Sequence, residues 1–463
     1  MQSHPCYPFS CKSSKFSNLL PQAHPQCGRS QWPIPQNVPR SIPRISGAIR
    51  GLSYINSSSL SCYQFSSCEI WSANAAGFGG QVTKFWKSNI QQWNTYSLQK
   101  KIEIRGDFMK DSKSRDSRRV QAVGSYGYQN FGDDLFVNTL MQRSAEIWPG
   151  AKMRTFAPLK SNVYAQPNAL GKLLRAGTAL AGLMWADTIS LCGGSIMQDV
   201  KGIARWRQHA LPFKRVEALG VSIGPFQNPE AESRVKDLAD QVDRLVVRDP
   251  SSAERALTLG FTTDRTLLGG DLVALNRSIK KSDSKSGAIS ICPSAASRTE
   301  FSVLYHEVRK GLQQVSEFYD AKPDVNILAL ASTPTANDEP IGQLLSEKLT
   351  ELGYSVKFVP YSAVGIRGMI EILTESSMVW SQRLHGAIVS YLADVPFLLD
   401  GHHAKCIDFA EDIRLNSKLL VNVADGWGAG IRALLDDETR SGMSPTGYKR
   451  RAEEAYTGAT ALE

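Results

Sequence analysis

The chain has 463 residues, 42% of them hydrophobic, and a formal net charge of +9. That length exceeds one ordinary domain, and no run of eighteen apolar residues occurs, so no membrane span is expected; the nearest approach, Ala169 to Gly193, is broken by Lys172, Arg175 and Asp187. The charge excess lies in residues 1–108, with 11 Lys and Arg against 3 Asp and Glu, while the rest carries 42 against 41 and excludes a general nucleic-acid footprint.

Residues 1–117 read as a disordered or non-native extension. The first 108 are rich in Ser, Pro, Gln and Asn and lack sustained periodicity. Their Ser-rich, acid-poor composition fits a transit peptide, but the length and the prolines argue against one. An alternative is that Met109 is the first residue, with "MKDSKSRDSRR" as a short tail. Cys6, Cys11, Cys27, Cys62 and Cys68 form either a disulfide cluster, a metal site or incidental thiols; no CxxC pair and no signal peptide supports the first two. Cys192, Cys292 and Cys406 lie far apart without metal-ligand spacing, as in a reduced, cytoplasmic protein.

From Val120 strands alternate with helices. "VQAVGSYG" is a short apolar run closed by glycines. A helix follows from Asp133 to Ile147, then strand "AKMRTFA", a helix over Leu170 to Met184, and strand "TISLCGG". Next come a helix near Arg205 to Arg215, strand "EALGVSIG", a helix around Glu230 to Val242, strand "RLVVRD" and a helix from Ser251 to Leu259. "LGGDLVALNRSIKKSDSKSG" breaks the rhythm as a polar, flexible linker would. The second series is "AISICPSA", helix Phe301 to Phe318, "VNILALAS", helix Glu339 to Leu352, "YSVKFVP", helix Val364 to Leu373, "SMVWSQR" and "VPFLLD". The pattern predicts α/β architecture: two doubly wound Rossmann-like domains, 118–280 and 281–463, the second with C-terminal helices, facing across a cleft. Ligands of such sheets bind at the carboxyl ends of the strands.

Chemistry-bearing residues fall at those ends. "GSYGYQNFGDDLF" places Asn130, Gly132, Asp133 and Asp134 where a strand gives way to a helix; helix capping alone accounts for acids there. It is not GxGxxG, so a dinucleotide site is poorly supported. Gly193, Gly194 and Gly224 close two further strands and permit close approach of a ligand. Arg248 ends "RLVVRD", either pairing with Asp249 or Glu254 or facing an anion in the cleft. In "SQRLHGAIVSYLADVP", Arg383 and His385 precede an otherwise apolar helix, where backbone N–H groups also favour an anion. The plain alternative has His385 capping the helix and Arg383 paired with a nearby acid. His209 and His306 fall in helical patterns and read as structural or exposed, while His402 and His403 belong to a loop or the cleft rim.

The ordered set from about Val120 to about Ile413 resembles the polysaccharide pyruvyl transferase family. Gly124, Gly127, Asn130, Gly132, Asp133 and Asp134 match its glycine-rich start. Cys192 to Asp199 looks like its Gly-Gly-Gly-Ser…Gln-Asp stretch, with Cys192 for the first glycine. Gly220 to Pro225 is similar to its Gly-x-Gly-Ile-Gly-Pro loop, with Ser222 for the middle glycine. Val247, Arg248, Asp249 and Ser252 fit Val-Arg-Asp…Ser, and Arg383, Leu384, His385 its Arg-Leu-His signature. Lys405 resembles its later lysine, with His402 and His403 where Tyr and Asp are usual; residues 1–108 have no counterpart.

The resemblance implies a GT-B-like fold and transfer of pyruvate from phosphoenolpyruvate to two hydroxyls of a sugar. The product is a cyclic ketal in an exopolysaccharide or cell-envelope glycan. It implies Arg383, Arg248 and Lys405 as phosphoenolpyruvate ligands, His385 as proton donor with neighbouring anions favouring its charged form, and Asp133 as the group orienting or deprotonating a hydroxyl. No metal or cofactor is called for. The partners are phosphoenolpyruvate and a sugar or lipid-linked oligosaccharide, not nucleic acid; peripheral attachment to a membrane, oligomeric state, acceptor and linkage stay open. A nucleotide-sugar GT-B glycosyltransferase and a non-catalytic glycan-binding protein are the rival readings.

Overall fold

The computed structural model describes residues 118–155, 169–200, 214–297, 299–333, 336–437 and 441–458. Two six-stranded sheets, every pairing in them parallel and each flanked by helices, form two Rossmann-like domains facing across a cleft, a GT-B-like arrangement.

The first domain holds β1 (Arg119–Val123), α1 (Phe131–Ile147), β2 (Lys152–Thr155), α2 (Ala169–Trp185), β3 (Thr188–Met197), β4 (Arg215–Ile223), α3 (Pro229–Lys236), β5 (Arg244–Val247), α4 (Pro250–Thr258) and β6 (Thr266–Leu268), in strand order β2-β1-β3-β4-β5-β6. Val216 to Ile223 of β4 are all buried, as a strand covered on both faces requires. The second domain runs β7 (Ile289–Cys292), α5 (Phe301–Tyr319), β8 (Val325–Ala329), a small β9 (Ser332–Thr333) and β10 (Ala336–Asn337) pair, α6 (Glu339–Glu351), β11 (Val356–Pro360), α7 (Tyr361–Glu375), β12 (Met378–Ser381), α8 (Leu384–Leu392), β13 (Phe397–Asp400), α9 (Ala404–Asp412), β14 (Leu420–Val421), α10 (Gly428–Leu435) and α11 (Pro445–Thr457). Its sheet order is β11-β8-β7-β12-β13-β14. Strand order reverses between β1 and β3 in one sheet and between β7 and β12 in the other, and doubly wound folds place ligands at such points.

Most expected elements form within a residue or two of their predicted bounds. The helix predicted over Glu230 to Val242 stops at Lys236, and a 3-10 turn at Ala239–Gln241 follows. The helix expected near Arg205 to Arg215 lies outside the described residues except at its end, where Arg215 opens β4. His306 is exposed on α5, and His209 lies outside the described residues.

The predicted flexible linker is the main departure. Leu272, Val273, Ala274 and Leu275 form a buried 3-10 turn, with Asp271, Asn276 and Ile279 also buried. The turn packs against α1, α8 and α11, so one apolar cluster is continuous from Val120 and Leu135 through Leu272 to Ile388 and Tyr448. Four adjacent apolar residues inside a polar window are enough to bury the segment, because the junction of two domains supplies the missing apolar partners. Only the stretch after it, Lys280 to Gly287, is largely exposed.

Three further contacts hold the junction. Phe131 N donates to Leu330 O at 2.9 Å and Ser332 N to Gln129 O at 2.9 Å. Tyr361 Oη donates to Asp134 Oδ2 at 2.9 Å. Helix α11 returns across the first domain, where Arg244 Nη2 donates to Tyr456 O at 2.6 Å and Tyr456 Oη donates to Gly270 O at 2.6 Å.

Candidate active site

Helix α1 begins at the cleft because the loop before it is built to stop there. Gly127 has φ +79° and its N–H donates to Asp134 Oδ1 at 2.7 Å, while Tyr126 Oη donates to Cys192 O at 2.6 Å. Asn130 is the N-cap: its Oδ1 accepts from Gly132 N at 3.2 Å and its Nδ2 donates to Asp133 Oδ2 at 2.8 Å. Asp134 is therefore a strut, and Asp133 is the carboxylate facing the cleft.

A cavity of about 270 Å³ lies between the switch points. Asn130, Gly132, Asp133, Gly193, Gly194, Arg248, Arg383, His385 and Lys405 all line it. Of the expected residues, Gly224 does not; at φ +64° it turns the chain after β4, where its carbonyl accepts from Gln198 Nε2 at 3.1 Å.

The close approach of β3 to the cavity depends on glycine. Gly193 and Gly194 have φ of +77° and +70°, and a Cβ on Gly193 would lie 2.5 Å from the Phe136 ring. Phe136 in turn supports His385 edge-on, with centroids 5.0 Å apart. The His385 side chain is 15% exposed. Its Nδ1 rests over Gly132, where a Cβ would fall 2.0 Å from that nitrogen.

The three cations differ. Arg248 is buried; its Nε lies 3.5 Å from Asp249 and its Nη1 3.9 Å from Asp271, while Nη2 is buried with no hydrogen-bond partner. Asp249 Oδ1 is the N-cap of α4, accepting from Ser252 N at 2.7 Å, while its Oδ2 forms the ion pair with Arg248 Nε without a hydrogen bond. Arg383 is paired, as the plain alternative had it, but with a distant acid. Its Nε donates to Asp338 Oδ2 at 2.8 Å and its Nη2 to Oδ1 of the same carboxylate. Lys405 opens α9 behind its N-cap His403, whose Nδ1 accepts from Lys405 N at 3.3 Å. Burial lowers the Lys405 ammonium below its ordinary value. His402 sits 3.7 Å from Asp400 and, like His403, does not line the cavity.

These charges correct one expectation about His385. Burial first, then Lys405, Arg248 and Arg383, hold the imidazole well below its usual value, so in the unliganded protein it is neutral. The group poised near neutrality is Asp133, pushed up to about 7 by burial and by Asp134 against the pull of Lys405, Arg383 and Arg248.

A carboxyl raised in this way affects stability with a definite sign. The folded state favours the protonated form, so the contribution is complete below the unfolded value near 3.8 and is lost as pH rises through about 7. Asp133→Asn, neutral at every pH, is expected to raise Tm over wild type by more at about pH 8 than at about pH 5. A Tm difference independent of pH would contradict the burial argument.

Two carboxylates escape sequence reasoning. Asp338, fully buried, accepts from Arg383 and from the N–H groups of Ala295 at 2.9 Å and Ala331 at 3.0 Å. "NDEP" before a helix signals only a cap, and nothing local reveals a partner 45 residues on. Asp338→Ala leaves a half-buried guanidinium and two amides unsatisfied, with an expected loss of about 2–4 kcal/mol in urea unfolding. A loss under about 1 kcal/mol would show the pair to be dispensable. Asp271 is the second: it lies in the stretch read as a linker, and its Oδ1 accepts from Val273 N at 2.9 Å as the cap of the buried 3-10 turn.

Two Rossmann-like domains meeting over a cavity lined by two arginines, a lysine and a histidine define a GT-B-like protein with a polar, basic ligand site. Its sequence then fixes the group within that architecture. The chain belongs to the polysaccharide pyruvyl transferase family, whose model matches residues 93–399, about two thirds of its length, so it is a transferase with a glycan as its object. The match takes in residues 93–108, which the motif comparison left without a counterpart, and stops short of Lys405.

No curated protein sequence matches the chain. Among solved structures it is similar to UDP-GlcNAc 2-epimerase from Methanocaldococcus jannaschii, with 10% identity, TM-score 0.46, and coverage of 73% of this chain and 98% of that one. It is also similar to the lipopolysaccharide outer core galactosyltransferase WaaB (10%, 0.41, 73% and 97%) and to UDP-N-acetylglucosamine 2-epimerase from Rickettsia bellii (14%, 0.41, 69% and 94%).

Proposed function

We propose that the protein transfers pyruvate from phosphoenolpyruvate to two hydroxyls of a sugar, forming a cyclic ketal in an exopolysaccharide or cell-envelope glycan. The observation carrying this reading is Arg248: a buried guanidinium with an unpartnered Nη2, beside Lys405 and Arg383 in one cavity. A buried, unsatisfied cationic donor costs stability unless an anion completes it. Phosphoenolpyruvate brings a carboxylate and a phosphate together. Arg383 has two nitrogens taken by Asp338, so its part is a fixed, oriented edge rather than a free fork.

The donor's negative charge reverses the electrostatics at His385. Beside it the imidazole gains a proton, which Nδ1, over Gly132, then delivers to the methylene carbon. The double bond is consumed and oxocarbenium character develops at the carbon bearing the phosphate. One sugar hydroxyl adds there and gives its proton to Asp133, whose value near 7 suits both acceptance and release. The carbon–oxygen bond to phosphate breaks, the second hydroxyl closes the ring, and inorganic phosphate leaves with the second proton. The chemistry asks for no metal or other cofactor.

Cys192, Cys292 and Cys406 are free and buried, which suits a reduced compartment, and we place the reaction in the cytoplasm. No helix among the described residues is long and apolar enough to cross a membrane. The test is incubation with phosphoenolpyruvate and a panel of nitrophenyl and lipid-linked sugars, with mass spectrometry for added pyruvate and a phosphate-release assay. Pyruvylated sugar with stoichiometric phosphate is expected. Protection of the protein by a nucleoside diphosphate sugar, with no turnover of phosphoenolpyruvate, would replace the proposal by glycosyl transfer. Saccharide binding without phosphate release would replace it by a non-catalytic role.

A further inference from the structure

Three residues at the cavity each bury a polar atom without a hydrogen-bond partner, Asp271 at Oδ2, His385 at Nε2 and Arg248 at Nη2. Asp271 Oδ2 lies 3.9 Å from His385 Nε2 and 3.9 Å from Arg248 Nη1. The carboxylate is anchored on its other side, because Oδ1 accepts from Val273 N and the residue's own N–H donates to Tyr448 Oη at 2.7 Å. Its side chain is 2% exposed. Burying a carboxylate oxygen with nothing to accept is costly, and a cap needs only one of the two oxygens. The second oxygen is therefore there for the groups it faces.

We propose that Asp271 is the positioning residue of His385: its Oδ2 accepts the Nε2–H of the ring, keeps the proton on that nitrogen, and supplies the counter-charge when the ring is cationic. Nδ1, over Gly132, is thereby left as the nitrogen that exchanges a proton with the cleft. At 3.9 Å the contact is longer than a hydrogen bond, and in the unliganded protein the carboxylate favours the Nε2–H tautomer electrostatically, with no other acceptor on that nitrogen. Every other charge facing the ring has been placed above. Arg248, Arg383 and Lys405 oppose a cationic imidazole, and Asp133, on α1, is half protonated near neutrality. Asp271, pushed up to about 6 by burial against the pull of Arg248, is mostly ionised at neutral pH and is then the acceptor aimed at Nε2.

The assignment of the nitrogen is independent of the substrate, whereas its kinetic consequence rests on the proposed reaction. In Asp271→Asn the amide oxygen keeps the Val273 cap, and the amide nitrogen, now a donor, takes the place of Oδ2. The expected result is a switch of the neutral His385 tautomer from Nε2–H to Nδ1–H, read by imidazole 15N shifts in the full chain at neutral pH and assigned against His385→Gln. An unchanged tautomer overturns the proposal. With phosphoenolpyruvate and acceptor, kcat is expected to fall about 10²–10⁴-fold, the scale of an orienting carboxylate, with KM for phosphoenolpyruvate near wild type.

A raised KM with unchanged kcat would assign Asp271 to Arg248 instead and also overturns the proposal. If wild type does not turn over phosphoenolpyruvate, the proposed reaction fails while the 15N result still decides the role of Asp271. Should Asp271→Asn fail to fold, Asp271→Ser preserves the cap, removes the carboxylate, and is expected to lose the Nε2–H preference in the same spectra.

Discussion

His385→Ala is expected to abolish pyruvyl transfer, by at least about 10³-fold in kcat, while leaving the fold intact. The ring lies on the cavity side of α8 and is held by Phe136 rather than by a hydrogen bond, with its Nε2 unpartnered. Removing it loses one edge-on contact, worth about 0.5–1.5 kcal/mol, and a ring Nε2 that in the unliganded protein lies 3.9 Å from Asp271 Oδ2, too far for a hydrogen bond. The residues that hold α8 in place, Ala387, Ile388, Val389 and Leu392, are untouched in the core. Thermal unfolding and phosphate release measured on the same preparation separate the two effects. Turnover near wild type would remove His385 from the chemistry; a collapsed melt would show the ring to be a packing element.

Gly132→Ala is expected to be nearly as damaging by a different route. The added methyl would occupy the position 2.0 Å from His385 Nδ1 and 2.6 Å from Cε1, so the ring must leave its place over the start of α1. Gly132 does not sit in the left-handed region, and the three atoms nearest the added methyl all belong to the ring. A displacement on the order of 1 Å costs about 10²-fold in rate, and overpacking costs about 1–3 kcal/mol. The double variant Gly132→Ala with His385→Ala gives the decisive comparison. With the ring absent, the methyl fits the vacated space, and the stability cost of Gly132→Ala is expected to disappear. Additive losses of Tm in the double variant would mean that the glycine is needed for the backbone and not for the histidine.

Much of the architecture was legible because parallel strands buried on both faces announce themselves. "VEALGVSI" and "VPFLLD" are mainly apolar and buried along their strands, and the helices carry the longer period. The site was legible as a set because its residues cluster at strand ends. The segment 268–279 reads as linker because the polar stretch 280–287 continues it, while its burial depends on α1, α8 and α11 arriving from far along the chain. Asp271 was hidden by the same misreading.

By itself the sequence determined the two-sheet plan and the residues brought to the crevice: Asp133, Arg248, Arg383, His385 and Lys405. The plan follows from periodicity, the places of Asp133, Arg248, Arg383 and His385 from their positions at strand ends, and Lys405 from the family resemblance. Only the tertiary structure decided the charge states and pairings. Arg383 is tied to Asp338, burial and nearby cations hold the His385 imidazole well below its usual value, and burial pushes Asp133 up to about 7. Burial and the field of distant charges set those properties, and neither is a function of neighbours in the chain.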